Sequence, residues 1–482
     1  MTRLVVGPFN RVEGDLEVTL DIADGAVRAA YVNSPMYRGF EQILVGKDPL
    51  DALVFAPRIC GICSVSQSTA AARALAAAME LELPENGQLA ANLVLAAENL
   101  ADHLTHFYTF FMPDFARPAY AGRPWHDRAT QRFAAITGSA TADMLPARAA
   151  FLNLMGYLAG KWPHTLAIQP GGSSRPVEEA EKIRIHALLT EFRGWLERRL
   201  FGDSLEAVAA IGSEDQLRAW MQDREPDSSD FRLFLEIADD LKLAALGRAT
   251  SRFLSFGAYP AGNKQLFKRG MWDGKLRRLD PSAITEDLSS SWMGGPAEPL
   301  HPASGVTQPL PDKLDAYSWC KAPRLAGKVV ETGALARQAV DGHPLGRALV
   351  TTSGGNVRNR VIARLLEIAR VLPAMERWAR ALKPGKPFCS HGALPDEGST
   401  MGLAESARGS LGHWLQIERG RIRNYQIVSP TTWNFSPRDA AGTPGALEQA
   451  LVGTPVAKGE TVPLAVQHVV RSFDPCMVCT VH

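Results

Sequence analysis

Apolar and polar residues alternate in two short runs near the start of the chain, LEVTLDI and AVRAAYV, on either side of Ala23-Asp24-Gly25. A period of two about a turn-forming triplet predicts a β-hairpin. From Asp51 the period becomes helical, and STAAARALAAAMEL is built of strong helix formers. The stretch NGQLAANLVLAAENLADHLTHFYTFFMPD keeps apolar residues at helical spacing over roughly seven turns and predicts one long helix ending at Pro113. Its apolar character extends nearly all round, which places it inside a bundle. A second long helix is expected after GGSS, with Pro176 in its first turn, running through EEAEKIRIHALLTEFRGWLERRL. SSDFRLFLEIADDLKLAALG and VRNRVIARLLEIARVLPAMERWARAL also read as helices. Between them, from Phe256 to about Arg324, the Gly, Pro, Trp and Asp-Gly content predicts short strands and ordered loops. From NYQIVSPTTWNFSP onward the expectation is loops plus a short helix. No repeat, low-complexity segment or flexible linker divides the chain. The reading is therefore a single unit over 1–482, mainly α with β additions (α+β).

Composition narrows the class. With 46% hydrophobic and 21% charged residues the 482-residue chain reads as soluble and globular. The balance of 52 basic against 51 acidic residues gives no electrostatic case for nucleic acid or an anionic membrane as partner. No apolar run is long enough for direct membrane insertion. The opening MTRLVVGPFNRVEGD does not read as a signal peptide, because Arg3 and Arg11 flank too short an apolar stretch.

The chemistry sits in the cysteines. Six in this length do not make a disulfide framework. Cys320 and Cys389 stand alone and read as small buried hydrophobes. Cys60 and Cys63 in RICGICSVSQ, and Cys476 and Cys479 in SFDPCMVCTVH, form two C-x-x-C pairs. That spacing lets both sulfurs of a pair meet one ion, and four thiolates suit zinc, iron or nickel alike. Structural zinc is the plain reading. Such a site staples a small local unit, however, and here 412 residues lie between Cys63 and Cys476.

The surroundings of the pairs favour another reading. RVEGD, RGFEQIL, RICGICSVSQ, ADHLTHFY, ARGSLGHW, YQIVSPTTWN and SFDPCMVCTVH together resemble the large subunit of nickel–iron hydrogenases, from residue 7 to residue 482. The resemblance implies that family's fold, a core of long helices with small peripheral sheets. It implies that Cys60 and Cys476 are terminal ligands of nickel. Cys63 and Cys479 would bridge nickel to an iron carrying two cyanides and one carbon monoxide, a Ni–Fe(CN)2(CO) centre that splits dihydrogen into hydride and proton. Glu13 would match the glutamate that takes the proton, facing Cys479. Arg408 would match the arginine above the metals, with Asp102 and Asp474 as its carboxylates. Pro430 and Thr431 would match the segment against the cyanides. Glu41, the backbone carbonyl near Ile427, and His482 would match the ligands of a magnesium ion. No cysteine remains for an iron–sulfur cluster, so the clusters would belong to a small subunit in a heterodimer.

The sequence departs from the family pattern in several places. Gln67 stands where a histidine is usual, and an amide cannot titrate near neutral pH. Ile62 and Phe110 replace the smaller Val and Leu of many relatives. They are expected to narrow gas access, a hypothesis that unchanged oxygen tolerance in an Ile62→Val, Phe110→Leu variant would sink. Asp15 and Ala407 also depart from the pattern, without an assigned consequence. Gln67, Ile62, Phe110 and the sequence stopping at His482 resemble the regulatory, hydrogen-sensing branch. That reading implies low turnover, a cytoplasmic location and a histidine kinase as signalling partner. The alternative is the large subunit of an energy-conserving uptake hydrogenase.

Overall fold

The most uniformly apolar run of the sequence lies at the centre of a helix bundle. The computed structural model describes residues 2–262 and 264–480. In it the helix Glu85–Thr105 packs against Val357–Ala381, which in turn packs on Glu179–Trp195, with Ser139–Leu152 against the first and third. Leu93, Leu100 and Leu104 are fully buried there, each worth about 1.5–3 kcal/mol by removal from water.

Two helix ends differ from the sequence expectation. The long α-helix stops at Thr105, and the chain continues as a wider π turn, His106–Phe111, and then a 3-10 turn, Met112–Ala116. The wide turn places Phe107, Tyr108 and Phe111 against Phe133, Trp195 and Phe234, so aromatic packing sets the geometry. The second long helix begins at Glu179, leaving Pro176 outside its first turn. A capping box replaces the proline as start signal, the Glu181 carboxylate accepting the Glu178 N–H at 3.0 Å.

The β additions are small, mostly antiparallel sheets, with Glu331–Thr332 pairing parallel to Phe253–Ala261. Glu17–Ala23 and Ala26–Asn33 form the expected hairpin about Asp24 and Gly25, both at positive φ, and Thr2–Val6 adds a third strand. Phe253–Ala261 and Lys264–Trp272 form a second hairpin, which begins just ahead of the stretch read as strands and loops from Phe256. A third sheet, Gly398–Ser406, Gly409–Glu418 and Arg421–Val428, was not legible, and NYQIV is its last strand rather than loop. This sheet lies on the helix Ser64–Ala78 and is covered on both faces, so its strands lack the polar–apolar alternation that marks a strand in sequence. Gly402 makes the contact possible, since a Cβ there would collide with the Ala70 carbonyl. Sheet and helix together wall the site.

Candidate metal centre

The segment 56–63 turns sharply before the helix Ser64–Ala78, and this turn carries Cys60 and Cys63. Glu98, on the central helix, fixes it from beneath. Its carboxylate accepts the N–H groups of Val65 and Ser66 at 2.8 and 2.9 Å, both serine hydroxyls, and the Trp162 indole N–H. It thereby satisfies the first N–H groups of the helix from outside the helix. The other pair follows the helix Leu464–Ser472, Cys476 capping and Cys479 ending the short turn Met477–Cys479. Cys60 Sγ lies 3.4 Å from Cys476 Sγ, Cys63 Sγ 3.4 Å from Cys479 Sγ, and Cys476 Sγ 3.2 Å from Cys479 Sγ. All four sulfurs fall within 4.8 Å of one another, are buried, and form no disulfide. Burial pushes the Cys476 thiol well above its ordinary value, whereas hydrogen bonds from its neighbours lower that of Cys60; four thiolates gathered this closely need a cation. Four convergent sulfurs fit a soft transition metal.

The N-terminal loop is stitched to the second pair. The Glu13 N–H donates to the Pro475 carbonyl at 3.3 Å, and the Met477 N–H donates to the Glu13 carbonyl at 2.7 Å. Gly14, at φ 77°, permits this approach, since a Cβ would press on the Val478 backbone nitrogen. Glu13 is half-buried. Burial and then the Cys60 thiolate raise its carboxyl, with Arg408 opposing. A buried hub holds the loop's other end: Arg11, Arg117 and Arg471 all reach the Asp114 carboxylate.

Arg408 lies in the turn between two strands of the buried sheet. Its Nη1 donates to Asp102 Oδ2 at 2.5 Å and its Nη2 to Asp102 Oδ1 at 3.2 Å. Nε donates to the Asp474 carbonyl at 2.9 Å and Nη2 to Asp474 Oδ1 at 3.1 Å. Burial works against the guanidinium, yet the two carboxylates raise it well above its usual value and keep it charged. Burial also works against Asp474, and Arg408 holds its carboxyl below the ordinary range. His106, four residues after Asp102, meets the Arg471 carbonyl at 2.7 Å.

A set of residues not singled out in the sequence aims these groups. On the helix Val357–Ala381, Arg360, Arg364 and Glu367 share one face. Arg360 pairs with Glu331 at 2.8 and 2.9 Å and lies 3.6 Å over the Phe473 ring, while Arg364 donates to the Ser472 carbonyl at 2.7 Å. Glu367 accepts two bonds from Arg337, at 2.8 and 2.9 Å, and meets His103 Nε2 at 3.1 Å. Arg337 also donates to the carbonyls of Ser406 and Ala407, both at 2.9 Å, and to Glu405 at 2.6 Å. One helix face thus holds both the Arg408 turn and the approach to Asp474. Charges at three- and four-residue spacing inside an otherwise apolar helical pattern were the available signal.

The remaining sequence candidates fall around this centre. Gln67 is buried beside Cys479, its Nε2 4.0 Å from Sγ, and its oxygen meets His413 Nε2 at 2.7 Å. An imidazole thus sits a single amide away from Cys479, through the Gln67 that stands where a histidine is usual. Thr431, next to Pro430 in the short helix Pro430–Asn434, accepts the Cys476 N–H on its hydroxyl at 3.2 Å. Ile62 is half-buried between the first two cysteines, and half-buried Phe110 gives its carbonyl to Arg11 at 3.3 Å. Asp15 is exposed and Ala407 buried. Cys320 is buried as expected; Cys389 is only half-buried, its thiol turned to the Ser390 carbonyl.

A second buried polar cluster gathers around Glu41 and Lys321. Glu41 accepts the Ile427 N–H at 2.8 Å, the Lys321 ammonium at 2.8 Å and the Thr307 hydroxyl. Glu286 is buried with neither carboxylate oxygen hydrogen-bonded, and burial, opposed by Lys321, pushes it up to about 7. Two carboxylates against one ammonium, with two unsatisfied oxygens, fit a hydrated hard cation such as magnesium. His482, the expected imidazole ligand, lies outside the described residues.

Comparison with known proteins agrees with this geometry. Residues 38–142 and 234–482 match the family model described as nickel-dependent hydrogenase. The chain is 30% identical to the periplasmic [NiFeSe] hydrogenase large subunit of Desulfomicrobium baculatum, covering 100% of this chain and 95% of that one. It is 26% identical to the uptake hydrogenase large subunit of Rhodobacter capsulatus, again over 100% of this chain and 95% of the other. The structure of the Ni-Fe-Se hydrogenase from D. vulgaris Hildenborough in the reduced state superposes with a TM-score of 0.84 at 30% identity, over 100% of both chains.

Proposed function

Because the chain belongs to the nickel-dependent hydrogenase family, we propose that it is the hydrogen-oxidising large subunit of an uptake-type enzyme. The observation that carries the chemistry is the buried four-sulfur cluster with the Arg408 guanidinium and the Glu13 loop fixed against it. Cys60, Cys63, Cys476 and Cys479 would hold the metals. When bound, a nickel–iron group supplies the polarisation that splits dihydrogen heterolytically.

The protein's own groups do the rest. Arg408, locked by Asp102 and Asp474, keeps a fixed positive charge in the buried interior, where it acts more strongly than in water. Glu13 takes the proton, and its raised carboxyl holds that proton better than an exposed glutamate would. Diatomic ligands on iron beside Pro430 and Thr431, and magnesium at Glu41, belong to the same proposal. Four of the six cysteines are taken up at the site and Cys320 is buried alone. Electrons must therefore leave to an iron–sulfur small subunit.

The direction of use follows the similar proteins, which are named as uptake and periplasmic enzymes and favour electron delivery over signalling. One observation favours the sensing reading as a second: Gln67 offers the bridging sulfur a group that cannot titrate. A cytoplasmic location and a histidine kinase partner go with that reading alone.

The test is metal analysis and hydrogen-dependent dye reduction on the assembled protein. Nickel and iron with hydrogen uptake are expected; zinc, or no uptake, overturns the proposal. Glu13→Gln should retain nickel while losing about 10²–10⁴-fold in turnover, and an unchanged rate would remove Glu13 from the mechanism. Hydrogen-dependent control of a kinase, with turnover too slow to feed respiration, would decide for the sensor.

A further inference from the structure

Three buried side chains lead away from the Cys479 sulfur in one line. Gln67 Nε2 lies 4.0 Å from Cys479 Sγ, at the outer reach of an N–H···S contact. Gln67 Oε1 lies 2.7 Å from His413 Nε2, and His413 Nδ1 lies 2.7 Å from the Tyr425 hydroxyl. The architecture places them together. Gln67 is on the first turns of the helix Ser64–Ala78, while His413 and Tyr425 are diagonal neighbours on adjacent strands, His413 pairing with Ile427 and Leu415 with Tyr425. Relative exposure is 1% for Gln67 and zero for the other two, so water does not compete for these bonds.

Their chemistry sets the direction of the string. A carboxamide oxygen only accepts, so His413 Nε2 carries the hydrogen. In the neutral imidazole, Nδ1 then presents its lone pair and takes the Tyr425 O–H. With its oxygen engaged, the amide turns its N–H donors to the sulfur. The reversed amide would set a carbonyl oxygen against an anionic thiolate, and the charge on sulfur selects against it.

We propose that Tyr425 and His413 are positioning residues that hold Gln67 with its N–H on the Cys479 sulfur, so that a non-titrating donor withdraws charge from this thiolate and raises the potential of the metal it ligates. Hydrogen bonds to sulfur ligands tune metal potentials in this sense. The inference rests on the nickel–iron reading of the site, and metal analysis separates the two: wild type without nickel overturns that reading itself.

The experiment uses the nickel-loaded, assembled protein and reads the nickel electron-paramagnetic-resonance g values together with the midpoint potential of a redox titration. Gln67→Leu should lower the potential and shift the g values. Tyr425→Phe, which removes one hydroxyl, should shift both in the same direction. The double variant should shift no further than Gln67→Leu alone. An unchanged spectrum in Tyr425→Phe, or additive shifts in the double variant, overturns the proposal. If Tyr425→Phe does not take up nickel, wild type grown with side-chain 15N-glutamine decides. A hyperfine coupling from a glutamine nitrogen is expected, and its absence shows that the amide oxygen faces the sulfur and overturns the string.

Discussion

Arg408 and Asp102 meet at two points, Nη1 2.5 Å from Oδ2 and Nη2 3.2 Å from Oδ1, inside a part of the molecule that excludes water. A fork against a carboxylate fixes the plane of the guanidinium as well as its place.

Arg408→Lys keeps the charge and loses the fork. Hydrogen oxidation should fall about 10²-fold or more with nickel retained, whereas Asp102→Asn, which leaves a buried cation short of a partner, should also cost about 3–5 kcal/mol of stability. Dye reduction, nickel content and thermal unfolding distinguish the two. Equal stability losses in both variants would contradict the assigned roles.

Arg337 touches none of the four cysteines, yet its fork holds the two successive carbonyls, Ser406 and Ala407, that lead into Arg408. Arg337→Lys can reach at most part of that set together with Glu367 and Glu405. Turnover should drop about tenfold or more as Arg408 loosens, in the manner of a misplaced catalytic group. Unaltered turnover in a nickel-loaded variant would confine Arg337 to a structural role.

How much of this was legible follows from what each residue does. The cysteine pairs, Glu13, Arg408, Asp102 and Asp474 were legible because each sits in a distinctive motif, and the structure gathers them at one centre. Arg337, Arg360 and Glu367 were not, because each works through a neighbour far away in sequence and looks like an ordinary helix charge. The long helices were legible from periodicity. The Gly398–Val428 sheet was not, since a strand buried on both faces has no alternation to read. The early end of the central helix at Thr105 was hidden because aromatic packing, rather than a helix breaker, decides it.

Glu448 provides a stability probe outside the cysteine cluster. Its carboxylate accepts the Val32 and Gly445 N–H groups and the Tyr317 hydroxyl, and burial still pushes it from 4.5 up to about 7. The folded state thus binds this proton more tightly than the unfolded chain. Its contribution is full below pH 4.5 and is lost as pH rises through about 7. The melting temperature of wild type minus that of Glu448→Gln should therefore shrink between pH 4.5 and about 8. A constant difference would show that the group does not titrate in this range.

Metal removal should be felt locally first. The four sulfurs join two remote segments, and without a cation their burial is unfavourable. Nickel-depleted protein should lose amide hydrogen-exchange protection over residues 58–66 and 474–480 while the helix Glu85–Thr105 stays protected. Uniform loss of protection would mean that the metal holds the entire fold.

The distance along the chain between the sulfurs also sets a clock. Cys60 and Cys476, 3.4 Å apart when folded, are separated by 416 positions in the order of synthesis. At roughly 5–20 residues per second, a ribosome reaches the second pair some ~20–80 seconds after the first. Throughout that interval Cys60 and Cys63 are thiols without their partners, in a cell that contains competing thiophilic ions. A centre divided in this way cannot be completed by whichever ion arrives early, so the choice of metal is deferred until the rest of the protein has been made.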